Sequence, residues 1–296
     1  MHHFAVFSSS DQPCPGIRDG LALLAAANIR ASGDNAGWLH QEQAWEVPVE
    51  IDGAPDMSTL RQQASEQGAD INILPAAGRR KKLLIADMDS TIITSESLDD
   101  MARIAGLAEA IMPITGRAMR GELDFEAALD ERVALLRGQP ENLIERALAE
   151  AGLTGGAENL VRTMRAHGAC CYLVSGGFTA ITSRVAAMCG FNDHHANVLE
   201  AKDGLLTGTV SKPVLDRESK LVFLDHYCGA LGIGREDAAC VGDGANDLAM
   251  LQAAGLGVAL KGKPLLREAV TLQLNHTDLT GLLYLQGYGV DEFAET

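Results

Sequence analysis

Two aspartates one residue apart, Asp87 and Asp89, directly follow the apolar run Leu83-Leu84-Ile85-Ala86. Carboxylates so placed repel one another and lose hydration as the chain buries. A magnesium ion resolves the conflict, because hard cations are held by carboxylate, carbonyl and water oxygens. An acidic turn, or the Asp-x-Asp of a sugar-nucleotide enzyme, remains the alternative on this pair alone. A second cluster narrows the choice. Asp243, Asn246 and Asp247 lie in Val241-Gly242-Asp243-Gly244-Ala245-Asn246-Asp247, again after an apolar run. A glycine turn with an aspartate helix cap needs one carboxylate. Two carboxylates and an amide, set beside Asp87 and Asp89, make a cation cage.

Ser175-Gly176-Gly177 precedes a helix expected from about Thr179, and a hydroxyl with backbone N–H groups at such a junction binds phosphate readily. Taken alone the tripeptide reads as a plain loop. Lys220, ahead of an apolar helix over 221–231, is by itself a surface lysine. Phosphoryl transfer needs a cation against the equatorial oxygens, and Lys220 or Lys212 could supply it.

The elements that must position these groups are legible. Apolar runs at 83–86, 169–174, 238–241 and 257–260 alternate with helical patterns, which indicates a parallel sheet covered on both faces. In such sheets the site lies outside the carboxyl ends of the strands, where each polar motif above falls. Residues 98 to about 155 are helical in pattern, with apolar spacing from Phe125 to Leu136, and are long enough for a cap. Asp203-Gly204 separates two alternating segments and predicts a hairpin over 197–210.

Residues 1–78 read as a separate small domain. Strands are expected at 4–7, within 29–38, at 45–51 and at 71–75, and helices at 16–29 and 57–67. The order β-α-β-β-α-β is that of a ferredoxin-like sandwich. Residues 76–82 then serve as linker into the larger domain, 79–296.

Composition bounds the partners. The 296 residues, 47% of them hydrophobic, can bury large cores. Forty acidic residues against 24 basic leave a net charge of -16, which disfavours nucleic acid and anionic membranes. An anionic substrate would therefore need a locally positive site. Six cysteines include no Cys-x-x-Cys pair, the start lacks a signal-peptide pattern, and the apolar stretch 21–29 is too short to span a bilayer. A reduced cytoplasmic protein is the expectation.

In order, Asp-x-Asp-x-Thr at 87–91, Ser-Gly-Gly at 175–177, a lysine, and Gly-Asp-Gly-x-Asn-Asp at 242–247 resemble the haloacid dehalogenase superfamily of aspartate-nucleophile phosphatases. Glu96, the Leu123-Asp124-Phe125-Glu126 segment and Arg132 bring the resemblance closest to its phosphoserine-hydrolysing branch. It runs from about Leu83 to the end of the chain. It implies a Rossmann-like core with a helical cap, and hydrolysis of O-phospho-L-serine to L-serine and phosphate, the last step of serine synthesis. Asp87 would be the nucleophile and Asp89 the general acid and base. Magnesium would be held by Asp87, Asp243 and the backbone carbonyl of Asp89, supported by Asp247 and Asn246. Ser175, Gly176 and Lys220 would bind the phosphoryl oxygens. Glu96 would take the substrate ammonium and Arg132 its carboxylate, Asn246 would also bind the substrate, and Met119 and Phe125 would line the pocket. The N-terminal unit resembles, in element order and position, the ACT-like regulatory module that precedes some of these enzymes. A homodimer is left open. A phosphatase for another small amino- or hydroxy-phosphate, and a sensing protein with a vestigial core, are the competing readings; the latter requires a broken motif, and none is broken.

Overall fold

The computed structural model describes residues 3–51, 53, 55–119 and 122–295, without the side chains of Ala118 and Met119. Its larger sheet has six parallel strands in the order Leu272–Leu274, Leu256–Leu260, Ala238–Gly242, Leu83–Ala86, Cys170–Phe178, Asp193–Asn197. All four residues of Leu83–Ala86 and all five of Ala238–Gly242 are buried, as continuous apolar strands between two helical layers must be. These two strands and Cys170–Phe178 are neighbours at the centre of the sheet. Their carboxyl ends therefore deliver Asp87, Asp243 and Ser175 to one place. His194 and His195 lie in the edge strand Asp193–Asn197, where His195 Nε2 meets the Tyr227 hydroxyl at 2.6 Å.

Four helices, Ser97–Ile104, Ala108–Met119, Phe125–Ala134 and Leu143–Glu150, follow the first strand of this sheet. Asp124 caps the third by accepting the Ala127 N–H at 2.8 Å, which fixes where Phe125 enters the helix. The hairpin pairs Leu199–Lys202 with Leu205–Val210, and its turn residues Asp203 and Gly204 have φ of 53° and 76°. Two positive φ values match the right-handed twist of the strands, which is why Asp-Gly marks the turn. Leu206 and Val210 bury their side chains in the same cluster as Leu129, Val133 and Leu136 of the helical segment.

The N-terminal strands form an antiparallel sheet in the order Ile29–Ala31, Ala44–Ile51, His3–Ser8, Asp70–Pro75. The single strand expected within 29–38 is in fact two. A short turn at Gly33–Asn35, tied by Asn35 Nδ2 donating to Ser32 Oγ at 2.9 Å, separates Ile29–Ala31 from Gly37–His40, and both pair with Ala44–Ile51. Helices Ile17–Ala26 and Met57–Glu66 accompany the sheet, and Leu24 and Leu60 bury in one cluster with its stacked Phe7 and Trp45. A Cβ at Gly20 would stand 2.2 Å from the Trp45 ring, so only glycine lets that helix sit against the indole.

The two sheets pack on each other. Arg79, from the intervening segment, donates to Glu46 at 2.6 Å and to the carbonyls of Leu285 and Tyr284, and lies 4.5 Å over the Phe4 ring. Val6, Ala44 and Leu74 share the large core cluster with Leu282 and Tyr284. The six cysteines are free thiols, and among the described residues no helix is long and apolar enough to cross a membrane.

Candidate active site

Strand Leu83–Ala86 ends at Asp87, whose N–H still donates to Val241 O at 3.0 Å. The chain then folds back tightly: Ser90 adopts φ 53°, and Ile93 N–H returns to Met88 O at 3.0 Å. Met88 points into the core while Asp87 and Asp89 face the sheet's outer edge, so the one-residue spacing is what puts both carboxylates on one side. Asp89 is held twice: its Oδ1 accepts Ser97 N–H at 2.8 Å and its Oδ2 accepts Ser175 Oγ–H at 3.3 Å. Withdrawal from water pushes its carboxyl up to about 6, against the Ser97 bonds that favour the charged form.

Ser175 is buried, and its Oγ also accepts Gly177 N–H at 2.9 Å. A Cβ at Gly177 would lie 2.9 Å from Asp89 Oδ2, and one at Gly176 would lie 3.1 Å from the Phe125 ring. The glycines thus permit close approach on both sides of the loop. Gly176 is further fixed by Asn197, which donates to Gly176 O at 2.8 Å while accepting Leu215 N–H at 2.7 Å.

Lys220 enters on helix Arg217–Leu231, opened by an Asp216–Ser219 capping box. Its ammonium lies 2.6 Å from Asp87 Oδ1 and 2.5 Å from Asp247 Oδ1, out of solvent. Desolvation opposes its charge, but Asp247 and Asp87 outweigh that and hold its pKa above the usual lysine value. Asp87 shows the mirror effect: burial and the nearby Asp247 raise its pKa well above the carboxylate range, and Lys220 only partly offsets them. Lys212, the other candidate cation, is spent elsewhere, on Glu126 at 2.7 Å and Asp130 at 2.9 Å at the exposed surface.

A cavity of about 250 Å³ opens above these groups, lined by Asp87, Asp89, Ser175, Gly176, Asp243 and Asn246 from the sheet edge. Glu96, Phe125 and Arg132 close it from the helical segment. Glu96 Oε1 accepts Ser90 Oγ–H at 2.9 Å; Arg132 Nε donates to Ala128 O at 3.2 Å, and burial lowers its pKa against the opposing pull of Asp99 and Glu96. The Met119 side chain falls outside the described residues. A larger groove of about 800 Å³, between helices Leu143–Glu150 and Thr179–Cys189, holds none of these groups.

Three buried carboxylates, Asp87, Asp243 and Asp247, offer oxygens within 4.8 Å of one another. Carboxylates so clustered out of water repel one another unless a cation sits among them, and an all-oxygen donor set suits a hard ion. Asp247 brings a side-chain oxygen to the cluster, whereas the Asp89 carboxylate turns to Ser97 and Ser175.

Three residues escaped the sequence reading. Lys263 Nζ lies 3.0 Å from Asp243 Oδ2 and 3.7 Å from Glu96 Oε1, and its N–H donates to Asp243 O at 2.9 Å. Asn197 buttresses Gly176, and Ser97 holds Asp89. Lys263 and Asn197 sit at or just past the carboxyl ends of sheet strands, so the edge rule applied to every strand finds both. Ser97 has no such signal.

The chain is similar over 275 residues to a phosphoserine phosphatase of Streptomyces coelicolor, at 38% identity, covering 90% of this chain and 67% of that one. A phosphoserine phosphatase solved as a phospho-aspartyl intermediate analogue superposes with a TM-score of 0.64 at 38% identity, over 69% of this chain and 98% of its own. A haloacid dehalogenase family hydrolase from Salmonella enterica serovar Typhi matches 96% of this chain and 98% of its own, with a TM-score of 0.83 at 27% identity. Residues 84–252, which carry every strand-end aspartate described above, match the haloacid dehalogenase-like hydrolase model, and the chain belongs to that family.

Proposed function

We propose that this chain is a phosphoserine phosphatase, hydrolysing O-phospho-L-serine to L-serine and phosphate. The observation that carries the reading is one cavity lined by three sets of groups: the Asp87–Asp89 pair, the Ser175–Gly176 segment, and a carboxylate and a guanidinium, Glu96 and Arg132. A zwitterionic phosphate ester needs all three.

Asp87 attacks phosphorus, forming a P–O bond to its carboxylate as the bond to the serine oxygen breaks. Asp89 gives that oxygen its proton; a carboxyl near 6 is protonated far more often than an ordinary aspartate. Asp89 then takes a proton from the water that attacks the aspartyl phosphate, and Asp87 is released with inorganic phosphate. Lys220 and the Ser175–Gly176 loop hold the phosphoryl oxygens, Glu96 binds the ammonium, and Arg132 forks onto the carboxylate. Phe125 covers the loop, and Asn246 borders the phosphate side. A divalent metal, magnesium by the hardness of its oxygen donors, would be held by Asp87, Asp243 and the Asp89 carbonyl with Asp247 beside them, and would supply charge balance for the transferring group.

The helices over 98–155 act as a cap insertion in the phosphatase domain, 79–296. Residues 1–78, whose elements run β-α-β-β-β-α-β, serve as an ACT-like regulatory domain. Free thiols suit a cytoplasmic setting. The test is phosphate release from phosphoserine against a panel of phosphomonoesters, where phosphoserine is expected to lead in kcat/KM. Preference for another ester by orders of magnitude would sink the assignment.

A further inference from the structure

Two lysines meet the carboxylates at the strand ends, and they are held differently. Lys220 bridges Asp87 and Asp247 with a side chain only 3% exposed. Enclosed between two buried carboxylates, it is a fixed part of the site. Lys263 Nζ stands 3.0 Å from Asp243 Oδ2 and 3.7 Å from Glu96 Oε1, with a side chain 60% exposed. Glu96 is itself 48% exposed and is steadied by the Ser90 hydroxyl at 2.9 Å. The Lys263 ammonium thus lies between a buried carboxylate of the cation cluster and an accessible one outside it.

The backbone of Lys263 is anchored while its side chain is not. Its N–H donates to Asp243 O at 2.9 Å, and the helix Pro264–Ala269 opens at the next residue with a proline, whose fixed φ suits a first helical position. The Cα is therefore pinned beside Asp243. Beyond it runs a flexible four-carbon stem ending in a compact charge with three rotatable donors, which binds one acceptor as readily as another.

Asp243 is one of three carboxylates whose oxygens converge within 4.8 Å. A divalent cation among them and an ammonium on Asp243 repel one another at close range. Lys220, shut in by Asp87 and Asp247, cannot relieve that repulsion. Lys263 can, because Glu96 lies only about 1 Å beyond the length of a charge-assisted hydrogen bond.

We propose that Lys263 is a yielding ammonium: it pairs with Asp243 until a divalent cation binds there, then passes to Glu96, and so sets how tightly the metal is held. The inference rests on the reading of Asp243 as a metal ligand and is independent of which phosphate ester is hydrolysed.

The test is isothermal titration calorimetry of the full chain with magnesium chloride at low ionic strength, without substrate. Lys263→Met removes the competing charge at an exposed position and tightens the midpoint about three- to tenfold, the scale of one charge pair that water partly screens. Lys263→Arg keeps the charge and stays near the parent value. Glu96→Gln removes the second acceptor and weakens binding. That loss shrinks when Glu96→Gln is combined with Lys263→Met, since no ammonium remains to be received. Asp243→Asn separates the two readings: if the parent chain binds no magnesium, or if binding survives Asp243→Asn, the metal reading itself fails and takes this proposal with it. Where that reading stands, an unchanged or weaker affinity in Lys263→Met, the result of a lysine that merely orients Asp243, overturns the proposal. So does a Glu96→Gln loss that is equal with and without Lys263, or a Lys263→Arg affinity raised as far as that of Lys263→Met.

Discussion

Lys220 Nζ lies 2.6 Å from Asp87 Oδ1, with side chains only 3% and 5% exposed. The same ammonium touches Asp247 at 2.5 Å, so one cation joins the strand-end carboxylate to the carboxylate behind the Gly242–Gly244 turn. Removing it leaves two buried carboxylates in mutual repulsion. Lys220→Met is expected to destabilise the metal-free protein by about 3–5 kcal/mol, as for other broken buried pairs. It should also lower kcat about 10²–10³-fold, the loss typical of one preorganised charge-stabilising donor. Urea unfolding and phosphate release measure the two effects. A variant of normal stability and normal turnover would remove Lys220 from the site.

Glu96 and Arg132 line the phosphate cavity from its helical side, and neither touches the sheet-edge aspartates by hydrogen bond. Their substitution should therefore act on the amino-acid end of the substrate alone. Arg132→Ala and Glu96→Gln are each expected to lower kcat/KM for phosphoserine about ten- to hundredfold, the worth of a charge-assisted bond. Turnover of a neutral aryl phosphate should be spared. Equal losses on both substrates would place these residues in the chemistry or the fold instead of in recognition.

Asn197 is buried, and its amide joins Gly176 O to Leu215 N–H across a separation of about 20 residues on each side. Asn197→Ala leaves both backbone groups unpaired, which costs about 1–3 kcal/mol each if they stay buried. The larger consequence is local: Gly176 loses the bond that sets its orientation toward the cavity. The expected result is weaker inhibition by product phosphate and a lower kcat, with Asn197→Asp recovering only the bond from Leu215. If phosphate inhibition is unchanged, Asn197 holds the Leu215 loop and nothing more.

The sequence made the sheet edge readable because its strands are continuous apolar runs and each ends in a residue that apolar burial cannot explain. Asp87, Ser175 and Asp243 stood out on that ground, and the structure brings them together. Lys263 and Asn197 were hidden by their type: a lysine before proline and an asparagine at a strand end are ordinary surface residues until the strand order makes them neighbours of Asp243 and Gly176. Ser97 was hidden for another reason, since it binds Asp89 through its backbone N–H, which carries no residue signature. The strand expected within 29–38 divided because local Ser-Gly-Asp-Asn turn chemistry outweighed a weak apolar pattern.

At the seam between the two sheets, Asp70 is the group on which most bonds converge. Its Oδ1 accepts one backbone N–H and its Oδ2 accepts two more and a hydroxyl, all from residues 275–277 of the core. Two residues along the same strand, Asn72 exchanges a pair of bonds with the Gln273 backbone at 2.8 and 2.9 Å. Asp70→Asn is nearly isosteric, but its NH₂ cannot accept, so at least one of the four donors faces another donor. The expected cost is about 1–3 kcal/mol, that of an unsatisfied buried donor. Because the lost bonds tie one sheet to the other, the loosening should appear first at the connecting segment 76–82, as faster proteolysis there below the unfolding midpoint. The aspartates of the active-site cavity touch none of these residues, so turnover should hold while the seam loosens. A fall in kcat with no change in proteolysis would mean that Asp70 acts on the site through the 275–277 segment, and that the N-terminal sheet is part of how the catalytic edge is held.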